Sequence, residues 1–599
     1  MNNEIMKRSD VAEQDTWDLS PLFETEAAWE DEYAALQEYP EKIAANQGKL
    51  AAGAEGLLES WRLDDEVSVR LNRLYTYASC RGDEDTGSSA GQDRRGRAMS
   101  LAVAISSAAA YITPEILSIE EETLERYYAA CPELETYRRS MTRLRRRKAH
   151  ILSPAEETLL AAAGEMAEAP DRISGVFRDA DLSFPDVTDG EGNSHTLTSG
   201  TLVPLLMSED RVLRKNTFDA YYARLDEFKN TIAATLDAQF RQLKFFSGAR
   251  RYGSTLEASL DATEVPTAVY MNLIEAVHDN LDKMYRYVTL RKKLLGVEEL
   301  HMYDVYPPIV TDADREIPFA EAKATALEAL AVMGEDYTAL LRRGFDERWI
   351  DVYENEGKRG GAYSTGPVQP HPFVLLNHKD NLDSLFTLVH EMGHAIHSFL
   401  SCQTQPVNTS DYVIFVAEVA STCNEVLLMR HLLEKAADKK EKIYIINHFL
   451  DSFKGTLYRQ TMFAEFELEM GRLCEAGQTL TADVLCEKYR ALNELYFGPD
   501  MISDDGIALE WARIPHFFYN YYVFQYATGF SAAVALANRI LSEGAPAVAD
   551  YKKFLSGGCS TDPIGLLKIA GVDMSTPAPV NEALKLFGEL VDELEELTK

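Results

Sequence analysis

The sequence predicts a mainly α-helical protein, and three observations carry that expectation. Apolar residues recur at helical spacing through most of the chain. The intervening residues are good helix formers with few internal Gly or Pro, and the helical texture breaks in only two places. Segments 56–80, 98–112, 121–147 and 209–246 are rich in Ala, Leu, Glu, Arg and Lys, of which the long side chains lose little freedom in a helix. The first break, at 180–200, carries Asp189-Gly190 and Gly192-Asn193 between alternating residues and predicts a short hairpin. Its end near 200 is the expected boundary between an N-terminal helical region (1–200) and a catalytic region (201–599). The second break, 352–378, is a glycine-rich loop, GKRGGAYSTG (357–366), followed by a short apolar strand at Phe373–Leu376.

Composition bounds the rest. With 599 residues, 46% hydrophobic and 26% charged, the chain can bury a large core. A formal net charge of −36 repels phosphate backbones and anionic lipid, so neither nucleic acid nor membrane is an expected partner. The stretch Ala98–Thr113 is uncharged but too short to span a bilayer, and a buried helix is expected there. Seven scattered cysteines without a CxxC pair, and no apolar signal core near the N-terminus, point to the cytoplasm. The basic run 137–150 reads as a solvated helix face.

The passage that carries chemistry is LDSLFTLVHEMGHAIHSFL (382–400). Its apolar residues keep helical spacing, and Asp380 or Asn381 can cap its start. His390 and His394 stand one turn apart on one face, where two imidazoles can hold one zinc ion. Glu391 lies between them, placed to act as general base toward a water at the metal. Five of the twelve histidines fall between 371 and 397. A catalytic zinc needs a third ligand and an open position. The pattern HExxHxxGxxH would supply a third histidine, but position 400 is Leu. The other route takes a glutamate from the next helix, which begins at Asp411. Glu418 there sits among Val413, Phe415, Val416 and Val419, a poor place for an uncompensated carboxylate. Glu425, two turns on, is placed to orient a ligand histidine.

A second constellation runs from His516 to Phe530, where eight of fifteen residues are Phe or Tyr. Read as one helix, it brings His516, Tyr519, Tyr522 and Tyr526 near one face, with Tyr521 off it. Those groups can donate to the oxyanion of a hydrolysed carbonyl. Two other motifs carry less. Gly87 to Gly91 fits GxSxG but follows a polar stretch, and the glycines of 357–366 lack phosphate-loop spacing. A mobile loop beside a peptide cleft is the expectation for the latter.

With WDLSPLF (17–23), GKRGGAYSTG, HEMGHAIHSFL, FVAEVASTCNE (415–425) and HFFYNYYVFQYATG (516–529), the sequence resembles the oligopeptidase F family of metallopeptidases, relatives of thimet oligopeptidase and neurolysin. The resemblance implies a large helical ellipsoid with a deep central channel, and a small β element beside a zinc site. It implies one zinc ion per chain held by His390, His394 and Glu418, with Glu391 as base. It implies a substrate contact for His516 near the oxyanion, with Tyr519 and Tyr526 aligned less securely and Tyr522 less still. Val374 to Asn377 resembles the strand along which a peptide backbone lies, an edge-strand mode. Gly361, Tyr363, Val374, Asn377 and Tyr522 are therefore the expected peptide contacts. The implied activity is endopeptidase cleavage of short, unfolded peptides. The rival readings are a helical zinc carboxypeptidase and a catalytically dead peptide-binding protein. The sequence leaves the oligomeric state open.

Overall fold

A computed structural model describes residues 5–309 and 316–599. Helices dominate it, and the strands are two or three residues long. The chain forms two compact units, each assembled from three segments. The first takes Met1–Ala149, Asp314–Leu428 and Leu536–Gly571; the second takes His150–Ala313, Met429–Ala535 and Val572–Lys599. The expected boundary near 200 thus falls inside the second unit. Composition shifts mark local texture, whereas these units are defined by contacts between segments far apart in sequence.

In the first unit a long helix, Ala54–Glu84, packs on a second, Ser89–Ala109. Ser88, inside the GxSxG match, caps that second helix, its side chain accepting from the Gly91 N–H, and Ser89, the serine of the match, is its first helical residue. The core between them holds Trp17, Trp29, Leu74, Tyr77, Ala98, Leu101 and Ile105, together with Phe373 and Leu375. The helix over 98–109 is not buried throughout, as the sequence led us to expect. Its Ala98–Leu101–Ile105 stripe faces the core, while Met99 and Val103 are 48% and 58% exposed. Small residues leave the outer face nearly featureless, so composition alone does not reveal which face is wet. By length and composition, Ser89–Ser118 could cross a membrane.

The second unit opens with the predicted hairpin: β1 (Val187–Thr188) pairs antiparallel with β2 (Ser194–His195) around the Asp189–Asn193 turn. The helical stretch 209–246 is two helices, Arg211–Asp226 and Lys229–Ala249. Asp210 caps the first, its carboxylate 2.8 Å from the Val212 nitrogen. In the first unit, 121–147 is likewise interrupted, by a 3-10 turn beginning at Pro132, whose ring removes a backbone donor. Two short strands of the second unit, β3 (Leu300–His301) and, far along the chain, Met501–Ile502, pair in parallel. Returning to the first unit, β4 (Ile350–Asp351), β5 (Tyr363–Thr365) and β6 (Phe373–Leu375) form a sheet in the order β4-β6-β5.

Candidate active site

The helix carrying the two histidines runs Leu382–Thr404. Of the two caps the sequence offers, Asn381 is used: its side chain accepts from the Ser384 N–H at 2.9 Å. The next helix runs Ile414–Lys435, three residues later than expected. The two helices meet at Gly393, one residue before His394. A Cβ at that position would lie 2.6 Å from Ser421 Cα and 2.9 Å from the Ala420 carbonyl oxygen. Only a residue without a side chain permits that approach. It brings Glu418, less than one turn before Ser421, against the histidines.

The resulting cluster is tight. The Nε2 atoms of His390 and His394 are 3.1 Å apart, and Glu418 Oε2 lies 3.4 Å from each. A tetrahedral zinc with ligand bonds of about 2.0–2.1 Å separates its donor atoms by about 3.3–3.4 Å. The donor set and spacing therefore fit a catalytic zinc with its fourth position free. Among the described residues this is the one cluster of three His, Cys, Asp or Glu able to hold a metal ion.

Surrounding groups fix these side chains. Glu425 meets Nδ1 of His390, so that Nε2 faces Glu418 and His394. Such a carboxylate partner sets the tautomer and the ring plane of a ligand histidine. The Ser421 hydroxyl lies 3.3 Å from Glu418 Oε2 and donates to it. Asn424, fully buried, bridges to the Val389 carbonyl at 3.3 Å and accepts from the Tyr337 hydroxyl at 3.0 Å. The sequence reading missed Ser421 and Asn424, although both lie between Glu418 and Glu425 on the same helix.

The electrostatics call for positive charge. Burial pulls the His390 imidazole down, but the carboxylates of Glu425 and Glu418 outweigh it and hold it well above the usual histidine range. Burial likewise favours a neutral Glu418, yet His390 and His394 keep its carboxyl far below the usual range. A cation bound among these groups would supply the same compensation. Glu391 is 7% exposed, and burial raises its carboxyl against the pull of the two histidines. A raised carboxyl suits a base that must both take and return a proton. His397 is fully buried and stacks on Tyr412 at 3.8 Å, 4° from parallel. Burial and the nearby His394 push it down to about 3, so it is a neutral core residue and no ligand.

The sheet corrects the expected peptide contacts. Val374 lies on β6, the central strand, fully buried and hydrogen-bonded on both sides, its N–H donating to the Trp349 carbonyl at 2.8 Å. The strands at the two sheet edges are β4 and β5, of which β5 pairs antiparallel with β6 in the register Tyr363↔Leu375. Tyr363 turns its ring against the first unit's core and donates to Asp83 at 2.8 Å. Its side chain is thereby engaged within the fold, and what the edge offers is backbone. Asn377 donates to the carbonyls of Arg359 and Gly361, at 2.9 and 2.7 Å. It holds the glycine-rich loop. That loop is pinned elsewhere as well: Lys358 is buried against Asp351 at 2.7 Å, and the Arg359 N–H donates to the Asp83 carbonyl at 2.9 Å. Gly361 takes φ +83°, which only glycine adopts without strain. A cavity of about 450 Å³ lies beside this loop, lined by Gly361, Asn377, Asp383 and Thr387.

The aromatic constellation lies in the second unit and is not one helix. A 3-10 turn, Pro515–Phe518, leads to Asn520 and Tyr521, both left-handed (φ 58° and 60°), and a helix begins at Phe524. The four predicted groups nevertheless gather. The His516 ring lies 5.5 Å from Tyr519, 6.3 Å from Tyr522 and 5.9 Å from Tyr526. Tyr521 points the other way, its hydroxyl 2.7 Å from that of Thr255. Burial, and then Arg178, lower His516 below the usual histidine range, so its imidazole is neutral at pH 7. Just upstream, Arg513 pairs with the buried Glu510 at 2.5 Å and anchors the segment.

Comparison with known proteins agrees with this geometry. Residues 205–586, which include every metal-site and aromatic-cluster residue above, match the model of peptidase family M3; residues 115–184 match that described as oligopeptidase F. Oligopeptidase PepF of Bacillus subtilis (strain 168) is 45% identical over 99% of this chain and 89% of its own. A peptidase structure from Chlamydophila abortus superposes with a TM-score of 0.92 at 33% identity, over 99% of this chain and 100% of that one. Oligoendopeptidase F from Enterococcus faecium gives 0.75 at 38% identity, over 96% and 99%. The chain is a peptidase of family M3, within the oligopeptidase F group.

Proposed function

We propose that this peptidase is a zinc-dependent endopeptidase that cleaves internal bonds of short, unfolded peptides. The observation that carries the reading is the set of three donor atoms from His390, His394 and Glu418 at zinc-ligand spacing, with a buried carboxyl beside it. Zinc held there would polarise the scissile carbonyl and acidify a water. Glu391 takes the proton of the attacking water and then delivers it to the amine nitrogen as the C–N bond breaks. Glu425 keeps His390 oriented through its Nδ1, and Ser421 steadies the Glu418 carboxylate. His516, Tyr519 and Tyr526 are the proposed donors to the oxyanion, through the imidazole N–H and the phenol O–H groups. The β5 edge offers backbone groups to an extended peptide. The seven free thiols suit a reducing compartment, and the cytoplasm is the proposed location.

The test combines metal analysis with product mapping. The purified chain should contain one zinc, lose activity with a chelator, and cut peptides blocked at both ends at internal bonds. Glu391→Gln should retain zinc and lose turnover by orders of magnitude. Single-residue trimming that stops when the C-terminus is blocked would replace this reading with a carboxypeptidase.

A further inference from the structure

Glu467 is a buried carboxyl that the hydrolytic scheme leaves unused. It sits on the helix Arg459–Glu475 and is 1% exposed. Its Oε1 accepts the Tyr521 backbone N–H at 3.0 Å, and its Oε2 has no hydrogen-bond partner. The turn it touches is strained: Asn520 and Tyr521 are consecutive non-glycine residues at positive φ. Asn tolerates that region, but a tyrosine holds it only when its surroundings impose it.

Those surroundings converge on the turn. Gln239, 3% exposed, donates to the Phe518 carbonyl at 3.1 Å and to Asn520 Oδ1 at 2.7 Å. The Tyr521 phenol reaches Thr255, and it can do so because residue 471 is glycine: a Cβ there would lie 1.9 Å from the phenol oxygen. Reversing the chain at 520–521 sends Tyr521 inward while Tyr519 and Tyr522 face His516. Burial pushes the Glu467 carboxyl up to about 8, so at neutral pH it serves as an uncharged acceptor.

We propose that Glu467 is a positioning residue that, by accepting the Tyr521 N–H, holds the left-handed turn gathering Tyr519, Tyr522 and Tyr526 around His516. The inference rests on the reading of that cluster as oxyanion donors. A carboxyl that merely fills the core would affect folding and leave the turn's backbone unchanged.

The experiment uses the full-length zinc enzyme with Glu467→Gln, which keeps an acceptor, and Glu467→Leu, which removes it. Two quantities are read: kcat and KM on an internally quenched peptide, and hydrogen exchange of the Tyr521 amide. The Leu variant should lose about 100-fold in kcat with little change in KM, the scale of effect for a small misplacement of a catalytic group. Its Tyr521 amide should exchange faster, and the Gln variant should stay near parental in both. Parental exchange at Tyr521 in the Leu variant overturns the proposal, as does a Gln variant as impaired as Leu. If Glu467→Leu does not fold, Gln239→Leu removes the other tether and should show the same kcat-selective loss; parental kcat there counts against the proposal. If His516→Ala and the three Tyr→Phe variants all keep parental turnover, the oxyanion reading fails. The amide exchange then still decides whether Glu467 holds the turn.

Discussion

Glu418 and Glu425 of the helix Ile414–Lys435 lie on one face and do different work. Glu418 offers its oxygen to both imidazoles, whereas Glu425 reaches only the far nitrogen of His390. Glu418→Ala should abolish tight zinc binding, and Glu425→Ala should weaken affinity or activity by only about 10–100-fold. Zinc occupancy under chelator competition separates them; equal occupancy in both variants would refute the division. The phenols invite a similar comparison. Tyr519→Phe or Tyr526→Phe should lower kcat by about 100–1,000-fold with little change in KM, as expected when a principal oxyanion donor is lost. Tyr521→Phe should leave kcat alone and cost about 1 kcal/mol of stability through the lost Thr255 hydrogen bond. Parental turnover in every one of the three facing tyrosines would leave the oxyanion to His516 and the metal.

At the scale of elements, Gly393 decides whether the two site helices can meet. Alanine favours a helix over glycine by about 1 kcal/mol. That gain is opposed by overpacking, typically about 1–3 kcal/mol, and here the clash is with backbone, which cannot rotate away. Gly393→Ala should therefore lower the melting temperature and weaken zinc retention together; a more stable variant with full zinc would show that the close approach is not limiting. The two histidines, Glu391 between them and a cap at Asp380 or Asn381 were legible in the sequence because they belong to one helix, where spacing alone fixes the face. Glu418 was legible because the following helix is also regular. The sheet edge was not, since β6 becomes central only through pairing with β4, more than twenty residues earlier. The aromatic cluster was predicted in membership but not in cause. Helical spacing placed the four groups together, whereas a left-handed turn held by Glu467 and Gln239, with Thr255 receiving only the Tyr521 phenol, does so in the fold. Those three residues lie far from the turn in sequence, and no local pattern points to them.

For the whole molecule, charge and topology matter more than any contact. A net charge of −36 makes the folded chain repel itself. At 0.1 M salt the screening length is about 10 Å, against about 30 Å at 0.01 M. The melting temperature should rise between those salt concentrations, and a fall would mean that attractive ion pairs outweigh the repulsion. The core that joins Trp17, Trp29 and Tyr77 to Phe373 and Leu375 has a further consequence, in time rather than in energy. The last helical contributor to that core, Ile105, is made about 270 residues before Phe373. At roughly 5–20 residues per second, a ribosome needs about 15–50 s to cover that distance. Throughout that interval the early helices carry an apolar face whose partner strand does not yet exist. The early helices of the nascent chain must therefore stay soluble with that face uncovered well before the chain can become an enzyme.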